Sequence, residues 1–189
     1  MTSIPAITLS EFQNGRIIGY HSAPLYGDNP GDFDALQLIE QLAATSSTFG
    51  TSEWQTANAL TRHHDGCSAV TLEYDATKAL KVATRLTDAE RAFLMIPTQN
   101  DGLSSYAFLF PTLELATFQE AKRCAQLIAQ YVEVDGLTPN SHLPSFQFHI
   151  RNDLPTHFHD GSLLNAQSTV ELGQMMLTRI RLFERNLCK

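Results

Sequence analysis

The stretch AVTLEYD, from Ala69 to Asp75, decides how the rest of the chain is read. In a strand, residues two apart point to the same face. Val70, Leu72 and Tyr74 then line one side, and Glu73 and Asp75 end together on the other. One explanation for two neighbouring carboxylates is a polar face meeting water. The sharper one is a divalent cation, because Mg²⁺ and Mn²⁺ take oxygen ligands and bind through one or two carboxylates plus the phosphates of a substrate.

On its N-terminal side this strand is reached through TANALTRHHDG, where Asp65-Gly66 is expected to turn the chain. Earlier still, a short strand is expected around Arg16 to Tyr20, followed by the Gly/Pro/Asn/Asp-rich loop APLYGDNPGDFD. Phe33, Leu36, Ile39, Leu42 and Ala43 recur at helical spacing, which predicts a helix from Phe33 to Ala44. The Ser/Thr-rich TSSTFGTSEW ends it.

Beyond Asp75, ATKALKVATRL predicts a helix to about Leu86, with a second short helical turn at TDAER. The strand AFLMIPT, the loop QNDGLSS and the apolar strand YAFLFPT follow. Thr117 and Glu120 form a capping box for a helix carrying Phe118, Ala121, Ala125, Ile128 and Ala129 on one stripe. YVEVD closes that unit, with Glu133 and Asp135 expected on one strand face, and DGLTPN is a turn. PSFQFHI alternates like a half-buried strand, and a last helix is expected from about Ser168 to Asn186.

Length and composition bound the function. With 189 residues, 43% of them hydrophobic, the chain suits one domain, 1–189. Within it we distinguish an N-terminal αβ unit (1–66), a core (67–165) and a C-terminal helix (166–189). Strands alternating with helices indicate an α+β class, an αβ sandwich with an antiparallel or mixed sheet flanked by helices. The net charge of −7, from 13 basic and 20 acidic residues, argues against a surface that grips nucleic acid by charge alone. Cys67, Cys124 and Cys188 have neither disulfide-framework nor zinc-knuckle spacing. No signal-like N-terminus and no run of about 18 apolar residues is present, so a cytoplasmic protein without membrane partners is expected.

The order of a strand ending Glu73-x-Asp75, a helix, AFLMIPT, a polar loop, YAFLFPT, a capped helix, YVEVDGLTPN and PSFQFHI resembles the archaeo-eukaryotic primase-like domains of phages, plasmids and integrated elements. Those domains have an RRM-like core. The matching positions are Glu73 and Asp75 for the acidic pair, Ile96 to Thr98 and Leu109 to Thr112 for two strand ends, and Asp135 for the single later Asp. The resemblance implies that Glu73, Asp75 and Asp135 are catalytic and hold Mg²⁺ or Mn²⁺, and that Ser104, Ser105 and His149 bind nucleotide. It implies nucleoside triphosphates, single-stranded or template DNA and other replication proteins as partners. Two departures stand out: the first acid is Glu where Asp is usual, and DGLSSYAFLF has no His, Lys or Arg. The expected function is therefore metal-dependent nucleotidyl transfer in the replication of a mobile element, or a degenerate relative that binds nucleic acid.

Two other readings compete. HHDG (His63 to Gly66) and HFHDG (His157 to Gly161) repeat a His-Asp-Gly tripeptide, and His157, His159 and Asp160 form an alternative metal set for Zn²⁺, Mn²⁺ or Fe²⁺ in a hydrolase. A non-catalytic interaction module is the other. No GxSxG elbow and no GxxxxGK[ST] loop occurs. Phe108, Phe110, Phe146 and Phe148 are expected in the core, with base stacking as the alternative.

Overall fold

The computed structural model describes residues 5–27, 29, 31–57, 61–100, 102–133, 137–141 and 146–175, of which 52–57, 61–65 and 100 as main chain only. Strands β1 (Ala6–Gln13), β2 (Arg16–Pro24) and β3 (Thr48–Gly50) form a three-stranded sheet in the order β2-β1-β3. β4 (Ser52–Ala57), β5 (Thr61–Asp75), β6 (Phe93–Asn100), β7 (Leu103–Ala116) and β8 (His149–Ile150) run in the order β4-β5-β7-β6-β8 in a second sheet, where β9 (His157–His159) also pairs with β6. All these strand pairs are antiparallel. Helices α1 (Ala35–Leu42), α2 (Ala76–Asp88) and α3 (Phe118–Glu133) complete it, together with the helical residues 166–175. The class is α+β, arranged as a sandwich.

Strand alternation sorts the core into two layers. Val70, Leu72 and Tyr74 of β5 pack with Phe108 and Phe110 of β7 against Ala79, Val82 and Leu86 of α2 and Ala121, Cys124 and Ala125 of α3. Their sequence neighbours Ala69, Ala107 and Leu109 face the other way, with Leu94 and Ile96 of β6, against Ile7 and Leu9 of β1, Phe49 of β3 and Leu38 and Ile39 of α1. Each face of the large sheet thus carries a packed apolar layer, and Phe108, Phe110 and Phe148 belong to the core as expected. Apolar burial of this kind is the main favourable term in folding.

Local signals explain the ends of the elements. The Asp34 side chain caps α1 by accepting from Gln37 N at 3.0 Å, so the helix starts after Phe33, which stays exposed. At α3 the capping box forms as expected: Glu120 N donates to Thr117 Oγ1 at 3.2 Å, and Thr117 N donates to Glu120 Oε2 at 2.8 Å. Thr117→Ala is expected to cost about 1 kcal/mol in a denaturant titration; an unchanged midpoint would show that tertiary packing alone holds this helix start.

Several expectations are corrected. The strand near Arg16 is half of a hairpin, whose first strand is β1. Its turn is Asn14-Gly15, both at positive φ (52° and 72°), the geometry that suits a tight hairpin. Asp65-Gly66 makes no turn but lies inside β5, where Gly66 is opposite Glu53 of β4 and the register slips past Asp65. A Cβ on Gly66 would meet the Cβ of Leu115 at 3.1 Å, so glycine serves close packing there. TDAER forms no separate helical turn: α2 runs on to Asp88 and stops at Glu90, which has φ 52°.

Neither Pro97 nor Pro111 ends its strand, since β6 continues to Asn100 and β7 to Ala116. The Pro97 carbonyl accepts from Arg151 N and that of Pro111 from Leu164 N, each at 2.9 Å. Each proline therefore faces a position outside the regular ladder, Pro97 opposite Arg151 just past β8 and Pro111 beside the isolated Thr112–Leu164 bridge, so no ladder bond needs their absent N–H. Glu133 belongs to α3 and to no strand, and Asp135 lies outside the described residues. Pro144 and Ser145 of PSFQFHI lie outside the described residues; among the described ones it gives a bridge at Phe148, which pairs with Phe49 of the other sheet, and the two residues of β8.

Candidate nucleotide and metal site

Tyr74 anchors the acidic pair from behind. Its ring is fully buried and meets Phe108 edge-on, with centroids 5.7 Å apart and planes at 90°. Burial, then the charge of Glu133, push its hydroxyl above the ordinary tyrosine range. With Tyr74 fixed in that layer, strand alternation sends Glu73 and Asp75 to the opposite side.

Glu73 and Asp75 open onto one cleft of about 470 Å³, lined also by Leu103, Ser105, Asn140, Ser141 and Phe146. Glu73 is only 2% exposed. Its Oε1 accepts from Ser105 Oγ at 2.6 Å, and Ser105 Oγ lies 3.0 Å from Thr98 Oγ1. A hydroxyl has one proton, so Ser105 spends its own on Glu73 and Thr98 is the donor of the second bond. The hydroxyl chain Thr98, Ser105, Glu73 crosses β6, β7 and β5. On the edge of β5 that β4 leaves free, Glu73 N donates to Ser141 O at 2.9 Å, and Asn140 N donates to Glu73 O at 2.7 Å.

Asp75 sits where β5 passes into α2, with its side chain 41% exposed. Asn140 Nδ2 donates to its Oδ1 at 2.8 Å, and Lys78 Nζ lies 3.5 Å from Oδ2. Phe146 adds a half-buried ring stacked on buried Phe148, with centroids 5.9 Å apart and planes at 28°.

The remaining sequence candidates are dispersed. Asp135 lies outside the described residues. Ser104, beside Ser105 on β7, projects to the other side of that strand and accepts from Arg151 Nη1 at 2.6 Å. His149 donates through Nδ1 to Ser47 O at 3.0 Å and shares a second cleft with Ser104, Gln99 and Arg151. His157 and His159 lie on β9; the His159 ring packs on Phe93 at 5.2 Å, and Asp160 Oδ1 accepts from Gly161 N at 2.9 Å. Among the described residues no three His, Cys, Asp or Glu side chains are placed to hold a metal, so His157, His159 and Asp160 do not converge. The side chains of His63, His64 and Asp65 lie outside the described set.

Asn140, Ser141, Lys78 and Arg151 were missed by sequence reasoning. Lys78 had a usable signal, being three residues from Asp75 at a helix start. Arg151 supplies a cation beside Ser104 where the local stretch DGLSSYAFLF has none.

The donors around Glu73 and Asp75 are carboxylate, hydroxyl and amide oxygens, the hard set that Mg²⁺ or Mn²⁺ takes and a softer metal does not favour. No protein-family profile matches the chain, and no curated protein matches it. Among solved structures it is similar to the polymerase domain from Mycobacterium tuberculosis ligase D in complex with DNA, at a TM-score of 0.35 and 11% identity, over 70% of this chain and 56% of that one. The chain therefore spans a little over half the length of that structure. No described helix is long and apolar enough to cross a membrane.

Proposed function

We propose that the chain is a primase-like nucleotidyltransferase of DNA replication, with its nucleotide site in the Glu73–Asp75 cleft. The carrying observation is that one strand end delivers two carboxylates into a single cleft whose other donors are hydroxyls and amides. Glu73 and Asp75 would hold Mg²⁺ or Mn²⁺, with Asp135 as the third carboxylate that the family resemblance suggests. Bound there, the cation would neutralise the phosphates of a nucleoside triphosphate. Phe146, stacked on Phe148, offers a face for a base.

A second reading has its own support. Glu73 is already bonded to Ser105, and Asp75 to Asn140 and Lys78. Both carboxylates have partners without a cation, which suits a relative that binds nucleic acid or a replication partner and has given up transfer. Primer extension separates the two. With Mn²⁺ and all four deoxynucleoside triphosphates on a primed single strand, the transferase lengthens the primer and Asp75→Ala does not. No extension by the wild type, with DNA binding intact, leaves the binding relative.

A further inference from the structure

On the opposite side of β7 from Glu73, the cleft around Arg151 has features that the nucleotide site does not use. The guanidinium grips Asp153 with two nitrogens: Nε donates to Oδ1 at 2.8 Å, and Nη2 donates to Oδ2. Nη1 donates to Ser104 Oγ at 2.6 Å. Gln99, His149 and Asn152 line the same cleft of about 380 Å³. The Arg151–Asp153–Asn152 rim also borders an adjoining cleft of about 310 Å³, with Glu40, Pro155 and Thr156 on its walls.

A side-on arginine fork around a carboxylate is the geometry that the same fork presents to two oxygens of a phosphate. The carboxylate here comes from only two residues along the chain, and its side chain is 56% exposed. The Arg151 side chain is only 22% exposed, so Asp153 is the end of the pair that water and salt reach while the guanidinium stays anchored on Ser104. With Nδ1 committed to Ser47 O, Nε2 is the His149 ring atom left to meet a ligand among the described residues.

We propose that Arg151, with Ser104, His149 and Asn152, forms a phosphate site, and that Asp153 is its internal occupant, displaced when a phosphate binds. This rests on the reading above only in taking a nucleic acid or nucleotide as the source of the phosphate. Ser104 and Ser105 are consecutive on β7, so a strand whose end reached the carboxylate cleft would cross the β6–β7 tip and bring its backbone to Arg151. A DNA phosphodiester and the phosphates of a free nucleotide offer the same oxygens, and the test distinguishes them.

The wild type, Arg151→Gln and Asp153→Asn are compared in EDTA, by fluorescence anisotropy with a labelled oligothymidylate and, separately, by calorimetry with dATP. Far-ultraviolet circular dichroism checks that each variant folds. Losing the fork is expected to weaken binding about tenfold and, in the oligothymidylate arm, to lower the salt slope by about 0.7. Removing the Asp153 charge is expected to tighten binding several-fold, and this variant carries the test even if Arg151→Gln folds poorly. A response confined to one arm identifies the phosphate's source. The proposal is overturned if Asp153→Asn binds no tighter than the wild type in both arms. Without a divalent cation in the assay, the outcome is independent of the metal site, so either reading can fail alone.

Discussion

Asp75→Ala is expected to abolish the rise in melting temperature that Mn²⁺ with a deoxynucleoside triphosphate gives the wild type. A ligand present at 100 times its dissociation constant adds about 2.7 kcal/mol to the folded state. For a chain of this length that corresponds to a rise of roughly 5–10 °C. The variant should fold normally, because the Asp75 side chain is 41% exposed and its ion pair with Lys78, at 3.5 Å, is a surface contact. Its own destabilisation without ligand should stay within about 1 kcal/mol. Differential scanning fluorimetry reads both quantities at once. Equal shifts in the two proteins would put the ligand elsewhere, and no shift in the wild type would remove the cleft as a metal-nucleotide site.

Ser105→Ala tests the support beneath that site. Glu73 is buried, and Ser105 Oγ is the donor on its Oε1. Taking away that donor leaves a buried carboxylate oxygen short of a hydrogen bond, at a cost of about 3 kcal/mol because the acceptor is a carboxylate. The same change strips Thr98 of its acceptor across β6 and β7. A fall in melting temperature of roughly 6–12 °C follows. Glu73→Gln keeps an oxygen that can accept from Ser105, so its loss should be clearly smaller. If both variants melt like the wild type, the hydroxyl chain is not what holds Glu73 in place.

The two predictions together separate ligand from scaffold. Asp75 should matter mainly when cation and nucleotide are present. Ser105 should matter in their absence. The arrangement follows from where the residues fall on β5: the last strand position is open to solvent, and the one two residues earlier forms the buried floor of the cleft.

What the sequence by itself determined is what depends on neighbours along the chain. The alternation in AVTLEYD put Val70, Leu72 and Tyr74 on one face and Glu73 and Asp75 on the other, because the strand period is a property of the backbone. Thr117 and Glu120 announced the start of α3 because a capping box closes within one turn. The Asn14-Gly15 hairpin was equally local and carried a readable signal, yet only its second strand was expected. Tertiary structure alone decided the rest. Asp65-Gly66, a turn by composition, runs on inside β5 because Gly66 pairs with Glu53 of β4 and packs close to Leu115, while the register slip is taken up at Asp65. Pro97 and Pro111 sit within strands because the positions facing their missing N–H happen to lack a regular partner. Asn140 meets Asp75 across 65 residues, and Arg151 meets Ser104 across 47. Such meetings depend on which strand ends share one edge of a sheet, which is set by pairing register over the whole chain and by no pattern in any local stretch.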